Sequence, residues 1–300
     1  MKAIVITKYG APDGLQLQEA EKPIPGDNEV LVKVHAATVT RGDVMLRSLK
    51  FPLSLILRLF GIRQKKTPGH EYAGEIEAVG NAVRRFKPGD QVFGTTTGLA
   101  VGANAEYVAL PEEWTQGVLA IKPANMPYDE AAAVPVGGMT ALYFLKEGNI
   151  QRGQKVLVNG ASGSVGSYAV QLARYFGADV TGTCSTANVA LVKSLGADAV
   201  IDYTRQDFSS SGQTYDLIFD AVGKTSLSQI KSVLKEGGAF FTVKSSTHEE
   251  LDSLLFLKEL IEMGEIRPVI DRRYPLEQTI EAHRYVESGR KKGNVVITIE

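Results

Sequence analysis

Three glycines recur at every third position, Gly160, Gly163 and Gly166, directly after a short apolar run at residues 156–158. Glycine lets a backbone approach a bulky anion because it has no Cβ, and free N–H groups at the start of a helix attract negative charge. The first gap is one residue longer than in the usual G-x-G-x-x-G fingerprint of dinucleotide binding. The spacing predicts a pyrophosphate site, and a tight strand-to-helix turn that binds nothing is the alternative.

Such a turn needs a strand before it and a helix after it. Apolar residues with the spacing of one helix face follow the glycines: Val165, Ala169, Leu172, Ala173 and Phe176. Further apolar runs, each at a distance that fits an intervening helix, lie at residues 180–183, 199–201, 217–219 and 239–243. This rhythm predicts a doubly wound, parallel α/β sheet of the Rossmann type with five strands.

The composition is that of an ordinary globular protein, with 44% hydrophobic and 22% charged residues among 300. Thirty-three basic residues against 34 acidic ones leave a net charge of −1, which is no electrostatic footprint for nucleic acid or an anionic membrane. A single cysteine, Cys184, excludes an intrachain disulfide and fits a reducing compartment. We therefore expect a cytoplasmic protein without a nucleic-acid partner.

No segment of the sequence is typical of a membrane anchor. The apolar stretch at the N-terminus is shorter than the core of a signal peptide, so secretion is not expected. The most apolar segment, residues 51–62, is interrupted by Pro52, Arg58 and Gly61 and is too short to span a bilayer. We predict a helix or lid packed on the protein there. A lid that lines an apolar substrate pocket, or a contact with a membrane or partner, is the alternative.

The first 122 residues differ in texture from the middle of the chain. Short β-like runs between glycine and proline turns, typical of a sandwich or barrel-like β domain, occur at residues 3–7, 30–34, 72–79 and 91–94. From Asp129, which we expect to cap a helix over residues 130–134, α/β alternation continues to about residue 264. The tail is predicted to contain a helix over residues 276–288 and a strand over residues 294–299.

Several segments carry a family likeness: PGHEYAG from Pro68, FKPGDQVFG from Phe86, AEYV from Ala105, residues 135–141, the glycine turn, LGAD from Leu195, YPL from Tyr274 and EAH from Glu281. In this order they resemble the medium-chain dehydrogenase/reductase superfamily, in its zinc-independent quinone oxidoreductase (zeta-crystallin-like) branch. The resemblance covers nearly the whole chain. It implies a GroES-like β-barrel domain of residues 1–122 and 267–300, an inserted Rossmann-type domain of residues 123–266, and an active site in the cleft between them.

The cofactor implied by the resemblance is NADP(H), with NAD(H) less favoured. Residues 183–186 end the second strand of the predicted sheet without an acid, and a carboxylate there would repel a 2′-phosphate. Tyr203 matches a tyrosine that touches this phosphate in similar enzymes, and Lys193 is a basic candidate nearby. The expected cofactor-binding residues are Thr140, Gly160, Ser162, Gly163, Val165, Gly166, Ser185, Thr186, Lys193, Tyr203, Val222, Gly223 and Asn294.

Some of these positions have alternatives or depart from the family. Ser185 and Thr186 also suit a plain helix N-cap, and Thr140 also suits a structural role inside a helix. Asn188 stands where NADP-dependent relatives often have a basic residue, and Asn294 stands where relatives usually have lysine.

No metal is expected. Zinc-dependent relatives use a Cys/His/Cys type of catalytic site, and His70 keeps the family's histidine position. Residues around Thr40 occupy the position of the preceding cysteine, and the chain has no second cysteine. A thiolate-based zinc site is therefore excluded, and a site built from His35, Asp43 or Glu71 would need an unfavourable arrangement.

Without a metal, reducing a polarised C=C bond or a quinone is easier than oxidising an alcohol, because nothing lowers the pKa of the hydroxyl group. The candidate catalytic residues are Thr40, Arg41, Asp43 and His70, among which donors would stabilise the oxyanion of an enolate or hydroquinone. Thr40 replaces the asparagine of similar reductases. Arg41 either reaches a substrate oxygen or pairs with Asp43, and His70 either faces the pocket or is a hydrogen-bonded core residue.

The predicted function is NADPH-dependent reduction of a small apolar carbonyl or quinone by hydride transfer. A zinc-independent alcohol or aldehyde oxidoreductase is one alternative, and a nucleotide-binding protein that has lost turnover is another. About two dozen residues that the resemblance leads us to expect after residue 243, including a sixth strand, are missing. Because that strand often extends the sheet across a dimer, we expect a monomer or an atypical dimer.

Overall fold

The computed structural model describes residues 1–48 and 66–300. The predicted helix or lid at residues 51–62 lies outside the described residues. The described chain forms two compact units. Unit 1 contains Met1–Val136, Glu249–Lys258 and Ile270–Glu300, and unit 2 contains Gly137–His248 and Glu259–Val269. The domain boundaries predicted from the sequence stay a prediction.

The strands of the described residues are β1 Lys2–Ile6, β2 Leu15–Glu19, β3 Glu29–Thr38, β4 Glu71–Val79, β5 Gln91–Thr95, β6 Tyr107–Pro111, β7 Leu119–Ile121, β8 Lys155–Asn159, β9 Asp179–Cys184, β10 Ala199–Asp202, β11 Tyr215–Asp220, β12 Leu234–Thr242, β13 Ile270–Pro275 and β14 Asn294–Thr298. Their α-helices are α1 Arg41–Ser48, α2 Tyr128–Ala131, α3 Pro135–Glu147, α4 Ser164–Tyr175, α5 Val189–Ser194, α6 Leu227–Val233, α7 Leu251–Glu262 and α8 Thr279–Glu287. No helix in this part of the chain is both long and apolar enough to cross a membrane.

Unit 1 is built on a seven-stranded sheet in the order β13-β14-β3-β4-β5-β7, with β6 paired to β3. All of its strand pairs are antiparallel except β13 with β14. The long strand β3 lies at its centre, and Val30, Val32 and Val34 of this strand are buried in the core. This is the β domain that the short β-like runs predict, and it is the GroES-like domain that the resemblance implies.

Unit 2 is built on a five-stranded parallel sheet in the order β10-β9-β8-β11-β12. The five apolar runs predicted as strands all lie in this sheet, so the Rossmann-type prediction is confirmed. The chain turns from one flank of β8 to the other between β10 and β11, which creates the switch point where such sheets bind ligands. Residues 243–250 after β12 form turns and coil that lead directly to α7.

The predicted helix cap at Asp129 is wrong. The short helix α2 covers Tyr128–Ala131 with Pro127 at its N-cap, so Asp129 lies in the first turn. Its carboxylate instead accepts a hydrogen bond from Nε of Arg273 at 2.6 Å. An acid in the first turn still favours the helix dipole, which explains why the local sequence pattern suggested a helix start.

Candidate functional site

The polar side chains of unit 1 gather where four strand ends meet. Thr38 ends β3, Glu71 begins β4, Thr95 ends β5 and Asn294 begins β14. The antiparallel pairing of β3 with β4 and β14, and of β4 with β5, brings these ends side by side. We define the polar edge of unit 1 as Thr38, Thr40, Arg41, Asp43, His70, Glu71, Lys291 and Asn294.

Asp43 anchors the polar edge. Its buried Oδ2 accepts hydrogen bonds from the backbone N–H and the hydroxyl of Thr40, at 2.8 and 2.6 Å. The Asp43 N–H donates in return to Thr40 Oγ1 at 3.0 Å. This reciprocal arrangement is a capping box at the start of α1. The T-x-x-D spacing that signals it is visible in the sequence, although the sequence analysis did not use it.

The second oxygen of Asp43 fixes His70. Oδ1 accepts a hydrogen bond from the Gly69 N–H at 3.0 Å and lies 2.6 Å from Nδ1 of His70. Burial acts to raise the pKa of Asp43, but the charge and hydrogen bond of His70 and the Thr40 hydroxyl hold that pKa well below its usual range. The carboxylate is therefore ionised and orients the His70 ring. The alternative pairing of Arg41 with Asp43 is wrong: no such ion pair forms between these two described residues, and Arg41 is exposed.

Glu71 is buried next to this anchor. Its Oε2 accepts from the Thr38 hydroxyl at 2.5 Å, and its Oε1 accepts from the Val136 N–H at 2.7 Å. Burial raises the pKa of Glu71 to about 7, and these two hydrogen bonds oppose the shift only in part. The group therefore titrates near neutral pH. The sequence pattern predicts no role for Glu71 beyond a disfavoured metal site.

Lys291 was also missed. It lies between α8 and β14, is half-buried, and donates from Nζ to the carbonyl oxygen of Gly293 at 2.7 Å. Burial lowers the pKa of Lys291 to about 8; Glu71 and Asp271 act against this shift, and Arg41 adds to it. Asn294, one of the residues predicted to contact the cofactor, is buried at the start of β14. Lys291 was not predicted because a lysine in a polar linker carries no sequence signal of burial.

Zinc sites in proteins are built from clusters of His, Cys, Asp and Glu side chains. Among residues 1–48 and 66–300 there is no group of three or more His, Cys, Asp or Glu side chains that could hold a metal. Residues 49–65 contain none of these four residue types. Zinc sites need three or four converging ligands.

In unit 2, the glycine turn joins β8 to α4. Gly160 has φ of +80°, a conformation that favours glycine, and a Cβ on Gly166 would lie 2.2 Å from the Gly160 carbonyl oxygen. Gly163 is the N-cap of α4, and it has no side chain that could accept from the first-turn N–H groups. Ser162 and Val165 are half-buried beside it. A bare helix N-terminus without a Cβ over it fits the pyrophosphate of a dinucleotide.

A buried network holds the loops around this turn. Asp220, at the end of β11, accepts from the N–H groups of Val222, Gly223 and Thr225 and from Nδ2 of Asn159, all at 2.8–3.0 Å. Thr183 Oγ1 donates to Asn159 Oδ1 at 2.5 Å and accepts from the Gly160 N–H at 3.0 Å. Burial acts to raise the pKa of Asp220, but the backbone donors lower it overall. The network positions Gly160, Val222 and Gly223 together, and its members Asn159, Thr183 and Asp220 were not predicted.

Other predicted residues cluster at the end of β9. Asn188 Nδ2 donates to the hydroxyls of Ser162 and Ser185, both at 3.3 Å. The Tyr203 N–H donates to the Cys184 carbonyl oxygen at 3.0 Å, and 60% of the Tyr203 side chain is exposed beside this strand end. These hydroxyl and amide groups surround a position where a polar ligand has access.

Thr186 does not join this group. Its hydroxyl donates to Asp202 Oδ2 at 2.5 Å, and Asp202 also accepts from the hydroxyl of Thr204 and pairs with Arg205. These bonds lower the pKa of Asp202, so an ionised carboxylate that the sequence analysis missed lies next to the strand end. Ser185 is the N-cap of a short 3-10 turn but makes no side-chain cap bond. Lys193 is exposed on α5, and Thr140 is half-buried inside α3.

Known proteins resemble both units. A family model described as "Alcohol dehydrogenase GroES-like domain" matches residues 26–122, and one described as "Zinc-binding dehydrogenase" matches residues 164–272. A 2-methylene-furan-3-one reductase of Solanum lycopersicum is 35% identical over 326 residues, which cover 99% of this chain and 79% of that protein. An NADPH-dependent alkenal/one oxidoreductase of Arabidopsis thaliana is 33% identical over 323 residues, which cover 99% of this chain and 79% of that protein.

A solved structure agrees with these relatives. The quinone oxidoreductase of Coxiella burnetii superimposes with a TM-score of 0.85 at 26% identity, covering 100% of this chain and 99% of that one. The alignment to the Solanum relative is longer than the 300 residues of this chain, so the relative contains additional residues. Sequence, fold and relatives agree: the chain belongs to the medium-chain dehydrogenase/reductase superfamily, among its quinone and enone oxidoreductases.

Proposed function

We propose that the chain reduces quinones or α,β-unsaturated carbonyl compounds with NADP(H), without a metal. The donor set of the polar edge carries this proposal. It offers a guanidinium, an ammonium and an anchored imidazole, and it offers no thiolate for zinc. Cations suit a reaction that develops negative charge on oxygen, as enolate and hydroquinone formation do.

The residues of unit 2 fit the dinucleotide. The first-turn N–H groups of α4 would bind the pyrophosphate, because the N-cap Gly163 has no side chain to cap them and Gly160 and Gly166 admit close approach. Val222 and Gly223 would lie along the ribose, held by Asp220, and Thr140 would lie beside the nicotinamide. When bound, the reduced nicotinamide supplies a hydride.

The preference for NADP(H) over NAD(H) rests on the end of β9. Ser185, Asn188 and Tyr203 present donors there, and Lys193 would add a positive charge. The Asp202 carboxylate opposes a 2′-phosphate, and the bonds from Thr186 and Thr204 engage this carboxylate on the side of β10.

In unit 1, His70 would contribute to the acceptor site, and Thr40 would act through Asp43, because its hydroxyl donates to that carboxylate. The capping box fixes Thr40, and the Asp43 contact fixes the imidazole, so both groups are oriented before substrate binds. Preorganised donors cost no reorganisation during the reaction. Arg41, exposed and without an ion pair among the described residues, would reach the substrate oxygen.

The test is steady-state oxidation of NADPH and NADH by a panel of quinones, enones and simple aldehydes, with and without a chelator. We expect turnover with quinones or enones, a preference for NADPH, and no effect of the chelator. Turnover only with aldehydes would support the metal-independent alcohol or aldehyde oxidoreductase instead. Binding of NADPH without turnover of any acceptor would support a protein that has lost catalysis.

We also propose a monomer or an atypical dimer in the cytoplasm. The support is the edge strand β12, which pairs only with β11 within the described chain, and the direct passage from β12 to α7. Sedimentation at micromolar concentration should show a monomer or weak association, whereas a tight dimer extended through β12 would contradict the proposal.

A further inference from the structure

The polar edge of unit 1 contains a second cation, Lys291, besides Arg41. The Lys291 side chain folds back toward the start of β14, because its Nζ donates to the carbonyl oxygen of Gly293 at 2.7 Å instead of extending into solvent. An ammonium carries three N–H donors. Gly293 is the one acceptor that the described residues provide for them. The remaining donors are available to a ligand.

Strand pairing brings Arg41 to the same place. β14 pairs with β3 through Val296 and Thr38, and the Val39 N–H donates to the Val295 carbonyl oxygen at 3.0 Å. The chain that continues from Val39 to Arg41 therefore runs beside the segment that leads from Lys291 into β14. The two positive charges act on each other, since Arg41 contributes to the lowered pKa of Lys291.

The nearby acids do not neutralise both cations. Both oxygens of Glu71 are occupied, by the Thr38 hydroxyl and the Val136 N–H. Asp271, in β13, accepts from the Tyr285 hydroxyl at 2.6 Å and from the Lys292 N–H at 3.0 Å. The charged groups that face Lys291 are thus Arg41 from α1, Glu71 from β4 and Asp271 from β13.

We propose that Lys291 is the proton donor of the reaction, acting on a substrate whose carbonyl oxygen is bound by Arg41. This inference rests on the proposed reductase function. In enone reduction, the hydride carries two electrons to the β carbon, the C=C bond is lost, and the charge moves to the enolate oxygen. An N–H bond of the Lys291 ammonium then breaks as a C–H bond forms at the α carbon. The resulting amine regains its proton from water.

The environment suits this step. General acids work best with a pKa near the working pH, and the pKa of Lys291, at about 8, meets that condition. Quinone reduction does not need the step, because the hydroquinone anion is stable enough to take a proton from water after release. The two acceptor classes therefore separate proton donation from hydride transfer.

The experiment compares wild type with Lys291→Gln and, as a matched control, Lys292→Gln at the neighbouring exposed position. The acceptors are the quinone menadione and the enone 2-methylcyclohexenone, whose product has a stereocentre at the α carbon. Lys291→Gln should lower kcat for the enone roughly 100-fold and lower menadione turnover far less, because the quinone loses only a nearby positive charge. The wild-type enone product should be enriched in one enantiomer, and the Lys291→Gln product should be racemic. NADPH binding measured by calorimetry should be the same in all three proteins.

Several results would overturn the proposal. Lys291→Gln could retain wild-type enone turnover and product configuration, or lose both acceptors equally while NADPH still binds. Lys292→Gln could behave like Lys291→Gln, or wild type could give a racemic product. In each of these cases the reductase function stands and Lys291 is not the donor. If wild type reduces neither acceptor, the proposed function and the role of Lys291 fail together.

Discussion

The polar edge of unit 1 and the glycine turn of unit 2 are built in opposite ways. The turn is local: Gly160, Gly163 and Gly166 lie within seven consecutive residues, and backbone conformation decides its shape. The polar edge joins residues as distant in sequence as Thr38, Glu71 and Lys291, and charge and hydrogen bonding decide its shape. The glycine turn should therefore be sensitive to an added methyl group, and the stability of the polar edge should depend on pH.

The largest effect should come from the anchor of the polar edge. Asp43→Asn replaces one of two accepting oxygens with a donor that faces the Thr40 or His70 donors. It should lower the free energy of unfolding by about 3 kcal/mol at neutral pH, as does removal of one partner from a buried ion pair. Chemical denaturation would measure this loss, with the exposed Asp27→Asn as the control.

The loss should also depend on pH in a defined direction. The pKa of Asp43 is depressed in the folded protein, so its contribution is present above the pKa of the unfolded chain and disappears as the pH falls through the folded value. The difference between wild type and Asp43→Asn should therefore shrink in acid. A difference that stays constant with pH would show that the amide merely packs badly.

Glu71 should give the opposite slope. Its pKa rises from an ordinary 4.5 to about 7, so the folded state keeps a proton that the unfolded state loses, and stability falls as the pH rises from about 4.5 to 7. The full change is about 3 kcal/mol. Glu71→Gln should remove this slope, whereas the exposed Glu21→Gln should keep it. Equal slopes in wild type and Glu71→Gln would contradict a buried titrating carboxyl group at the polar edge.

The same contrast explains what the sequence predicted. The strands and helix around the glycine turn follow from apolar periodicity and glycine spacing, so β8, β9 and α4 were predicted nearly to their observed ends. β12 begins at Leu234, five residues before the predicted run. The Thr40–Asp43 capping box was also readable, because it too is local. Local patterns place elements well since a short segment determines them.

The pairing that unites the polar edge is long-range, and no short pattern encodes it. Glu71 directly precedes the predicted strand at residues 72–79, but its contact with the Val136 N–H joins positions 65 residues apart. Lys291 is surrounded by exposed polar residues in the sequence, and only the pairing of β14 with β3 shows that it faces Arg41. Asn159 and Asp220 were not predicted for the same reason, since their hydrogen bond joins β8 to β11.

The glycine turn should be sensitive to the position of a single methyl group. Gly166→Ala places a Cβ 2.2 Å from the Gly160 carbonyl oxygen, so the turn must shift, at a cost of roughly 1–3 kcal/mol in stability.

Gly163→Ser meets only an ordinary contact of 3.4 Å and has extended backbone angles, and serine is a favoured N-cap. It should keep stability but weaken NADPH binding, because its hydroxyl takes the first-turn N–H groups. Chemical denaturation would measure the loss of stability in Gly166→Ala, and calorimetry would measure the loss of NADPH affinity in Gly163→Ser. An unchanged NADPH affinity in Gly163→Ser would show that the pyrophosphate does not bind at the N-terminus of α4.

The smallest effect should come from the end of β9, where both ways of building a site meet. Tyr203 is fixed there by a backbone bond to Cys184, but its side chain is exposed and its hydroxyl is free to contact a ligand. Tyr203→Phe should weaken NADPH about fivefold, or about 1 kcal/mol, and leave NADH unchanged, because only NADPH carries the 2′-phosphate. Tyr175→Phe, at a partly exposed tyrosine on α4, is the control. Equal losses for both nucleotides would mean that Tyr203 packs against the adenosine without reading the phosphate, and the preference for NADPH would then have to come from Ser185, Asn188 and Lys193.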